Sequence, residues 1–353
     1  MSGGQVLITG GAGFVGTNLA DRLLSQGNRV TILDDLSRPG VEQNLRWLQN
    51  EHPTGLLVEV ADLRDEAALS RGVTGSAAVF HLAAQVAVTT SLLDPVDDLG
   101  VNLIGTVKLL EEIRRQDDPP ALLFTSTNKV YGALPDVDLL EREASYEPAD
   151  PDLAARGIDE ERPLAFCSPY GCSKGAADQY VLDYCASFGL KTVVFRMSCI
   201  YGPHQFGTED QGWVAHFLIQ ALKRRPLTIY GDGKQVRDVL FVDDLIDAML
   251  LAQERIDGVQ GRAFNIGGGP RNTLSLLQLI GHIEELAGVR PVLEFEDWRV
   301  ADQRYYVSDT SRFTAATRWT PRVPVLEGVR RLHDWLRERA DQGAASLAGT
   351  VSR

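Results

Sequence analysis

Short apolar runs alternate with longer amphipathic segments from the N-terminus to about residue 197. The apolar runs lie at residues 5–8, 29–33, 56–60, 77–81, 121–124 and 191–195. Apolar residues recur with a helical period in segments such as 14–26, 94–115 and 168–187. Strands that alternate with helices are typical of an α/β fold, in which helices cover both faces of a parallel sheet. We therefore predict a doubly wound parallel sheet.

The regular alternation ends near residue 197, where glycine-rich and proline-rich turns begin to separate shorter elements. We expect residues 1–197, with about 237–263, to form the larger domain. A smaller α/β domain for the substrate is expected from about 198–236 with 264–340. Residues 133–167 are acidic, contain proline and lack a clear period, which indicates a loop or small insertion. Small and polar residues dominate 341–353, where we expect a flexible tail.

A glycine-rich turn at residues 9–16 follows the first predicted strand directly. Gly11, Gly13 and Gly16 satisfy the G-x-G-x-x-G spacing between a strand and a helix, and Gly10 adds a further glycine. In this setting glycine permits a tight turn and lets a pyrophosphate approach the amides at the helix N-terminus. The turn therefore predicts a Rossmann-type dinucleotide site.

The second predicted strand ends at Asp34, close to the separation of about 20 residues expected for the acidic residue of such a site. A carboxylate there can accept hydrogen bonds from both hydroxyls of the adenosine ribose, and it repels a 2′-phosphate. NAD is therefore favoured over NADP, although Arg38 lies close enough to leave NADP open. The alternative for Asp34 is a solvated acidic residue in a loop.

Tyr170 and Lys174 are four residues apart, so a helix places both on one face about one turn apart. A phenol with its ordinary pKa near 10 is almost fully protonated at neutral pH, and burial raises that pKa further. Positive charge from Lys174 and from an oxidised nicotinamide is therefore needed to make Tyr170 a base. The pair predicts alcohol oxidation beside a dinucleotide, whereas alone it would also fit a solvated helix face.

Composition excludes several other classes of protein. The chain has 35 Lys and Arg against 48 Asp and Glu, a formal net charge of −13 at pH 7, which disfavours nucleic acid and anionic membranes as partners. No apolar run approaches the roughly 20 residues of a membrane span, and no signal peptide is apparent. The four cysteines show no paired spacing, and the six histidines form no cluster. We expect a cytoplasmic protein with reduced thiols and no metal.

The glycine turn, Asp34, the segment at 81–84 (HLAA) and the pair Tyr170 and Lys174 together resemble the extended short-chain dehydrogenase/reductase family of nucleotide-sugar enzymes. The resemblance covers about residues 5–339. It implies the catalytic set Thr127, Tyr170 and Lys174, in which Thr127 hydrogen-bonds the reacting hydroxyl and Lys174 holds the nicotinamide ribose. The residues implied for binding NAD are Gly10, Gly11, Gly13, Phe14, Val15, Gly16, Asp34, Asp35, Ser37, Arg38, Asp62, Leu63, Leu82, Ala83, Ala84, Gln85, Asn102, Thr125, Tyr170 and Lys174.

Five further stretches narrow the resemblance to those members that invert C2 of CDP-linked hexoses. They are residues 126–132, 168–180, 210–214, 233–239 and 302–304. This resemblance implies a tightly bound NAD, a homodimer or homotetramer, and a CDP-linked sugar or other nucleotide sugar as substrate. The residues expected to bind that substrate are Val88, Thr127, Asn128, Lys129, Cys199, Gln211, Gly212, Trp213, Val214, Lys234, Gln235, Arg237 and Arg304.

Alternatives stay open for several of these residues. Arg237 and Arg304 suit a diphosphate because guanidinium groups match phosphate oxygens, but either could form an interdomain salt bridge instead. Trp213 could equally belong to the core. Cys199 replaces the asparagine that is usual in the family, and a buried structural thiol is its better explanation.

Three functions remain. The first is 2-epimerisation of a CDP-hexose through a transient 2-keto sugar. The second is a 4-epimerase, or another epimerase, acting on a UDP- or other NDP-sugar with the same Thr127, Tyr170 and Lys174. The third is a non-catalytic NAD(H)-binding regulator, against which the intact catalytic set counts. Dehydration is not expected, because Asn128 stands where sugar dehydratases need an acidic residue. Deprotonation beside a carbonyl is not favoured either, since Lys129 has no cysteine in its loop.

Overall fold

The computed structural model describes residues 4–288, 290–299 and 302–351, and of residues 287 and 341–351 it describes the backbone only. The strands are β1 (Gln5–Thr9), β2 (Arg29–Asp34), β3 (Leu56–Val60), β4 (Ala78–His81), β5 (Ala121–Thr127), β6 (Leu139–Glu141), β7 (Tyr146–Pro148), β8 (Thr192–Met197), β9 (Cys199–Tyr201), β10 (Leu227–Tyr230), β11 (Val236–Phe241), β12 (Arg262–Ile266), β13 (Thr273–Ser275), β14 (Leu293–Glu296) and β15 (Tyr305–Tyr306).

The α-helices are α1 (Phe14–Ser25), α2 (Val41–Glu51), α3 (Glu66–Val73), α4 (Val88–Leu93), α5 (Pro95–Leu99), α6 (Gly105–Arg114), α7 (Pro151–Arg156), α8 (Ser168–Phe188), α9 (Trp213–Leu222), α10 (Val242–Glu254), α11 (Ile256–Val259), α12 (Leu276–Ala287), α13 (Ser311–Thr317) and α14 (Val325–Val351). A π-helical turn at Gly100–Ile104 joins α5 to α6, and a 3₁₀ turn at Asn128–Tyr131 follows β5.

Seven parallel strands form the large sheet in the order β12-β8-β5-β4-β1-β2-β3. Alternate residues of its central strands enter two separate apolar layers. In β1, Val6 and Ile8 join one layer and Leu7 joins the other; in β4, Phe80 and Val79 divide in the same way. Both faces of the sheet are therefore covered, which explains the unbroken apolar runs of the sequence. Chain order reverses between β1 and β4, where ligands bind in folds of this kind.

A second sheet is built around β11 from strands that are distant in sequence. β11 pairs with β13, β15 and β9, while β10 pairs with β14. The structure differs here from the predicted strand assignment, because β11 (236–241) lies in the small sheet and β12 (262–266) closes the large one. The sheet that a strand joins is decided by the neighbouring strand with which it pairs. An apolar run in the sequence does not reveal which strand that neighbour is. The division into two domains stays a prediction.

Three segments carry more structure than the sequence pattern predicts. Residues 133–167 contain the β6–β7 hairpin and α7. The single helix predicted over 94–115 is divided by the π-helical turn at Gly100–Ile104. Helix α14 extends past Arg339 to Val351, while residues 352–353 of the predicted flexible tail lie outside the described residues. Flexibility of that tail therefore stays a prediction.

Candidate active site

The turn between β1 and α1 has no space for side chains at its glycines. A Cβ atom on Gly11 would lie 2.6 Å from Cγ1 of Ile32, and one on Gly16 would lie 2.4 Å from the carbonyl oxygen of Gly10. Gly13 caps α1 without a side-chain hydrogen bond to the amides of its first turn. These amides can therefore bind an anion at close range. The turn fits the pyrophosphate of a dinucleotide, as the glycine spacing predicts.

Asp34 ends β2 with its carboxylate against this turn. Its Oδ2 accepts a hydrogen bond from the amide of Ala12 at 3.0 Å, and its Oδ1 accepts one from the amide of Leu36 at 2.9 Å. Burial raises the pKa of Asp34, while both amides act against that shift. Each carboxylate oxygen has a further lone pair, so ribose hydroxyls can still bind it. Nearby, the guanidinium of Arg38 donates a hydrogen bond to the side chain of Gln211.

The end of β4 is held by a buried histidine and a buried asparagine. His81 lies between the hydroxyls of Thr9 and Thr106, with Nδ1 and Nε2 at 2.7 and 2.9 Å from their oxygens. Burial lowers the pKa of His81 to about 3, so the ring is neutral. Asn102 accepts from the amide of Gln85 at 2.9 Å and donates to its carbonyl at 3.0 Å. Asn102, predicted to contact the cofactor, thus holds the backbone that follows β4.

A buried polar group that the sequence analysis did not find lies beside Asn102. The amide of Asn102 also donates to Asp98 Oδ1 and to Ser173 Oγ, both at 3.1 Å, and Ser173 donates to the other oxygen of Asp98. Burial raises the pKa of Asp98, while Ser173 and Lys174 lower it. The π-helical turn brings Asn102 into this position, because the extra residue in a π turn shifts the side chains that precede and follow it.

The predicted catalytic residues meet where β5 ends against α8. Tyr170 and Lys174 face inward with exposed fractions of 8% and 2%, and the buried hydroxyl of Thr127 at the end of β5 acts on the phenol of Tyr170. Burial raises the pKa of Tyr170 to about 12, against the lowering effects of Thr127 and Arg38. Burial lowers the pKa of Lys174 to about 7, while Asp178 and Asp98 act against that shift.

The expected lowering of the Tyr170 pKa by Lys174 is not found. Besides Arg38, the charged group that acts on the phenol is Asp98, which raises its pKa. The ammonium of Lys174 lies 4.1 Å from the centroid of the Phe124 ring, below the end of β5. A base at Tyr170 therefore needs positive charge from a bound ligand, and an oxidised nicotinamide carries such a charge.

Several residues predicted to bind the substrate come together near the 3₁₀ turn. Asp302 Oδ1 lies 2.8 Å from Arg237 Nη2 and 3.6 Å from Lys129 Nζ. Burial raises the pKa of Asp302, but the two cations outweigh it and hold that pKa below its usual value. The thiol of Cys199 is nearby: burial raises its pKa, while Arg237, the Trp213 indole N–H and Lys129 lower it. Two cations that share one carboxylate leave net positive charge for a diphosphate.

Five predicted substrate residues have other partners or positions. Val214 is buried in the larger apolar cluster, and its predicted contact with the substrate stays a prediction. Gln235 donates to the carbonyl of Tyr230 at 2.8 Å, and Lys234 pairs with Glu141 of β6 at 2.6 Å. Arg304 is exposed and stacks over the rings of Tyr146 and Trp298, at 5.7 and 5.3 Å from their centroids. Trp213 packs against the core, which agrees with the alternative that it is a core residue. Its indole N–H also donates to Cys199 Sγ at 3.4 Å.

Arg299 and Gln303 were missed by the sequence analysis. Arg299 stacks on Tyr230, with its guanidinium carbon 3.9 Å from the ring centroid, and it helps to lower the pKa of Asp302. It therefore adds a third cation near Arg237 and Lys129. Gln303 is fully buried and donates to the carbonyl of Gly132 at 2.6 Å. The motif at 302–304 indicated this loop. Within it, Arg304 was selected for its charge, and Gln303 was not selected because a glutamine has none.

Among the residues that the structure describes, no group of three or more His, Cys, Asp or Glu side chains could hold a metal ion. No helix in the described ranges is both long and apolar enough to cross a bilayer. The four cysteines are free thiols.

A doubly wound sheet with a glycine turn and a Tyr–Lys pair is typical of dinucleotide-dependent enzymes. Comparisons with known proteins place the chain in the same class. Residues 6–267 match the model of the NAD dependent epimerase/dehydratase family, and the chain belongs to that family. It is 43% identical over 339 residues to the CDP-paratose 2-epimerase of Salmonella typhi, covering 94% of this chain and 98% of that protein.

Two solved structures resemble the whole chain. The UDP-glucose 4-epimerase of Thermotoga maritima with UDP-glucose is 30% identical, with a TM-score of 0.80, and the match covers 95% of this chain and 99% of that one. The UDP-glucose 4-epimerase of Thermus thermophilus in complex with NAD is 32% identical, with a TM-score of 0.78 and coverage of 94% and 99%. The predicted family, Rossmann-type fold and NAD dependence are confirmed.

Proposed function

We propose that this protein is a nucleotide-sugar epimerase that inverts C2 of a CDP-linked hexose of the CDP-paratose type. The observation that carries the proposal is the 43% identity to a CDP-paratose 2-epimerase over nearly the full length of both chains. The inward-facing Thr127, Tyr170 and Lys174 at the carboxyl end of the large sheet support it, because oxidation of an alcohol needs a base beside the cofactor.

In this proposal Tyr170 takes the proton of the C2 hydroxyl and later returns one to the same oxygen. Thr127 hydrogen-bonds that oxygen and fixes its distance from the phenol. Bound NAD supplies the hydride acceptor and donor, so that C2 is oxidised and then reduced on its other face within one turnover. The residues that fit NAD are those of the glycine turn, Asp34 and Lys174, the last of which would hold the nicotinamide ribose.

Arg237, Lys129 and Arg299 are assigned to the diphosphate of the substrate. Arg237 and Lys129 lie against the carboxylate of Asp302 and hold its pKa low, while Arg299 pairs with Glu209 and Asp210 and lowers that pKa from farther away. A guanidinium binds two phosphate oxygens at once, so Arg237 and Arg299 would fix the position of the nucleotide. The sugar would then extend from this group of cations toward Tyr170.

The test is an NMR spectrum of CDP-paratose after incubation with the purified protein in D₂O, with no cofactor added. We expect the C2 epimer with no deuterium at C2, since hydride returns to the carbon from which it came. Deuterium at C2 would mean deprotonation at that carbon and would overturn the mechanism. Conversion only after NAD is added would contradict tight retention of the cofactor.

UDP-hexose 4-epimerisation is the second candidate, favoured by the full-length likeness to a UDP-glucose 4-epimerase with UDP-glucose bound. The same Thr127, Tyr170 and Lys174 would act on C4. The two candidates are separated by presenting UDP-glucose and CDP-paratose to the same preparation. Turnover of UDP-glucose with CDP-paratose unchanged would replace the first proposal by the second.

A further inference from the structure

A buried carboxylate lies beside the catalytic helix and has no part in the proposed reaction. Asp98, on the short helix α5, has an exposed fraction of 1%. Its Oδ1 accepts a hydrogen bond from the side-chain amide of Asn102 at 3.1 Å, and its Oδ2 accepts one from the hydroxyl of Ser173. Both donors are neutral, and burial of a carboxylate among neutral donors is costly. We call Asp98, Asn102 and Ser173 the Asp98 cluster.

The side chain of Asn102 has one possible orientation in this cluster. Its Oδ1 accepts a hydrogen bond from the backbone amide of Gln85 at 2.9 Å. Because a backbone N–H can only donate, the NH₂ group of Asn102 must face the other way. There it reaches the carbonyl of Gln85 at 3.0 Å, and Asp98 and Ser173 at 3.1 Å. Asn102 therefore connects the segment that follows β4 to both α5 and α8.

The hydroxyl of Ser173 is directed by the same carboxylate. Its single proton has two acceptors within reach, Asp98 Oδ2 and the backbone carbonyl of Tyr170 at 3.2 Å. A carboxylate is the stronger acceptor, so the proton points to Asp98. Ser173 lies between Tyr170 and Lys174 in α8, and its exposed fraction is 2%. Asp98 thus holds the part of α8 that carries both proposed catalytic residues.

The start of α8 depends on hydrogen bonds from other helices. Its N-cap residue, Cys167, makes no side-chain hydrogen bond to the first turn. The amide of Tyr170 donates instead to the hydroxyl of Ser91 in α4 at 3.2 Å, and Ser173 is held by Asp98 of α5. The position of Tyr170 relative to the sheet is therefore set from outside α8.

We propose that Asp98 is a positioning residue, which holds Asn102 and Ser173 together and so sets the distance between the segment after β4 and the pair Tyr170 and Lys174. The inference deepens the proposed function and rests on it, because it takes residues 82–85 as neighbours of bound NAD and Tyr170 as the acid and base. Asp98 acts through its two partners and not on the reacting atoms. Such placement matters, since a displacement of about 1 Å can cost on the order of 10²-fold in rate.

The main test is Asp98→Ala in the protein with its bound NAD. The change removes both acceptors, so Asn102 and Ser173 lose the group that joins them. We expect kcat for CDP-paratose, expressed per folded protein, to fall by about 10²-fold while KM changes little. A rise in KM with kcat unchanged would show that Asp98 serves binding of the sugar and would overturn the inference.

Asp98→Asn is the conservative variant that should restore turnover. Its amide oxygen can accept from Asn102, and its NH₂ group can donate to Ser173, whose proton then turns to the carbonyl of Tyr170. We expect kcat to lie within about fivefold of wild type, as for the loss of one neutral hydrogen bond. A loss as large as that of Asp98→Ala would mean that the charge matters and the hydrogen bonds do not, which contradicts positioning.

Hydrogen exchange tests the cluster without any sugar. The amide of Gln85 is protected by Asn102, so in Asp98→Ala it should exchange at least about tenfold faster, while the amides of β8 keep their rates. Unchanged exchange at Gln85 in this variant would overturn the inference. Faster exchange at Gln85 in a protein that leaves CDP-paratose unaltered would support the cluster and contradict the proposed epimerase, so the two failures are distinct.

Ser173→Ala breaks the connection to α8 and leaves the bond between Asp98 and Asn102 in place. It should lower kcat but keep Gln85 protected, and it maintains the test if Asp98→Ala does not fold. The double variant should be no slower than the slower single variant, because both residues act through one cluster. Losses that multiply in the double variant would show independent roles and overturn the inference.

The matched control is Asp244 of α10, another buried carboxylate, with an exposed fraction of 3%. It accepts hydrogen bonds from the amides of Arg322 and Val323, both at 2.9 Å. Asp244→Ala should lower the stability but leave kcat per folded protein and exchange at Gln85 unchanged. If it lowers kcat as much as Asp98→Ala does, the effect of Asp98 is general loosening of the fold, and the inference is wrong.

Discussion

At the scale of single residues, the chemistry depends on how burial shifts two pKa values in opposite directions. The pKa of Tyr170 is raised to about 12 by burial, and that of Lys174 is lowered to about 7 by the same cause. The site thus disfavours both phenolate and ammonium in the protein alone. Positive charge from a bound oxidised nicotinamide would act on both groups, favouring phenolate and disfavouring ammonium.

Replacing Tyr170 by phenylalanine removes the proton acceptor and leaves the ring in place. We expect turnover of the nucleotide sugar to fall by about 10²- to 10⁴-fold, the range of general acid–base effects, while bound NAD is retained. Turnover is measured by NMR, and NAD by absorbance after the protein is denatured. Undiminished turnover in this variant would remove Tyr170 from the mechanism.

Lys174 makes stability depend on pH in a predictable direction. Because the pKa in the folded protein is about 7, below the ordinary value of 10.5, its contribution to stability is complete above about pH 10.5 and is lost as pH falls toward 7. Relative to wild type, Lys174→Met should therefore gain in unfolding temperature as pH is lowered from about 10.5 to 7. Thermal unfolding over this range checks the trend.

Lys223 is exposed, and Lys223→Met provides the control, because it removes a lysine that is not buried; its unfolding temperature is measured over the same pH range. If the difference in unfolding temperature between Lys174→Met and wild type does not vary with pH, burial of the Lys174 ammonium carries no cost in stability. Loss of turnover is expected in Lys174→Met at all pH values, because the group proposed to hold the nicotinamide ribose is gone.

Sequence reasoning found the site residues whose partners are close in the chain. Tyr170 and Lys174 are one helical turn apart, and the glycines of the turn are consecutive or nearly so, so their spacing carries the geometry. Asn128 and Gln303 are 175 residues apart, and no local pattern pairs them. Val214, inside the 210–214 motif, is buried among apolar residues, and the motif alone did not reveal this burial.

At the scale of elements, the glycine turn between β1 and α1 tolerates no added side-chain atom at Gly16. A methyl group on Gly16 would lie 2.4 Å from the carbonyl oxygen of Gly10 and 2.6 Å from Cα of Gly11, both backbone atoms. Gly16→Ala must therefore displace α1 from β1. We expect weaker retention of NAD and a loss of about 1–3 kcal/mol in the free energy of unfolding, as for overpacked sites.

Gly281 in α12 provides a matched control, because nothing lies within 4 Å of a Cβ atom at that position. Gly281→Ala should leave NAD binding unchanged and should stabilise the helix by about 0.5–1 kcal/mol. Both variants are compared by chemical denaturation and by the ratio of bound NAD to protein. Equal behaviour of the two would contradict the steric argument for the turn.

The element predictions failed where tertiary contacts override the local pattern. The apolar period across 94–115 fits one helix, yet the buried hydrogen bonds of Asn102 are made from a π-helical turn. Residues 133–167 have little periodicity, because a three-residue hairpin strand and a six-residue helix are too short to show one. The long strands of the large sheet, in contrast, were predicted within one to three residues at their ends.

At the scale of the whole molecule, exposed apolar side chains concentrate on helices that pack against α8. Leu93 and Val96, on α4 and α5, are exposed by 86% and 79%, and Tyr180 and Phe188 of α8 are exposed as well. The predicted homodimer or homotetramer would cover such a surface. We expect Leu93→Glu combined with Val96→Glu to reduce the sedimenting mass to that of one chain.

The matched control is Leu326→Glu, an exposed apolar position on α14, which should leave the mass unchanged. A wild-type protein that sediments as a single chain of 38.7 kDa would contradict the predicted oligomer. Far-ultraviolet circular dichroism of both variants should match wild type, since neither substitution reaches the core.

The pairing of β12 with β8 has a consequence for how the chain is made. During synthesis β8 is complete at Met197, but its outer neighbour is complete only at Ile266. At ordinary rates of translation the delay is on the order of ten seconds, and throughout it the outer edge of β8 presents unpaired backbone N–H and C=O groups. The ribosome-bound chain should therefore depend on chaperones in this interval. A chain released at residue 197 should aggregate, even though it contains every residue of the catalytic set.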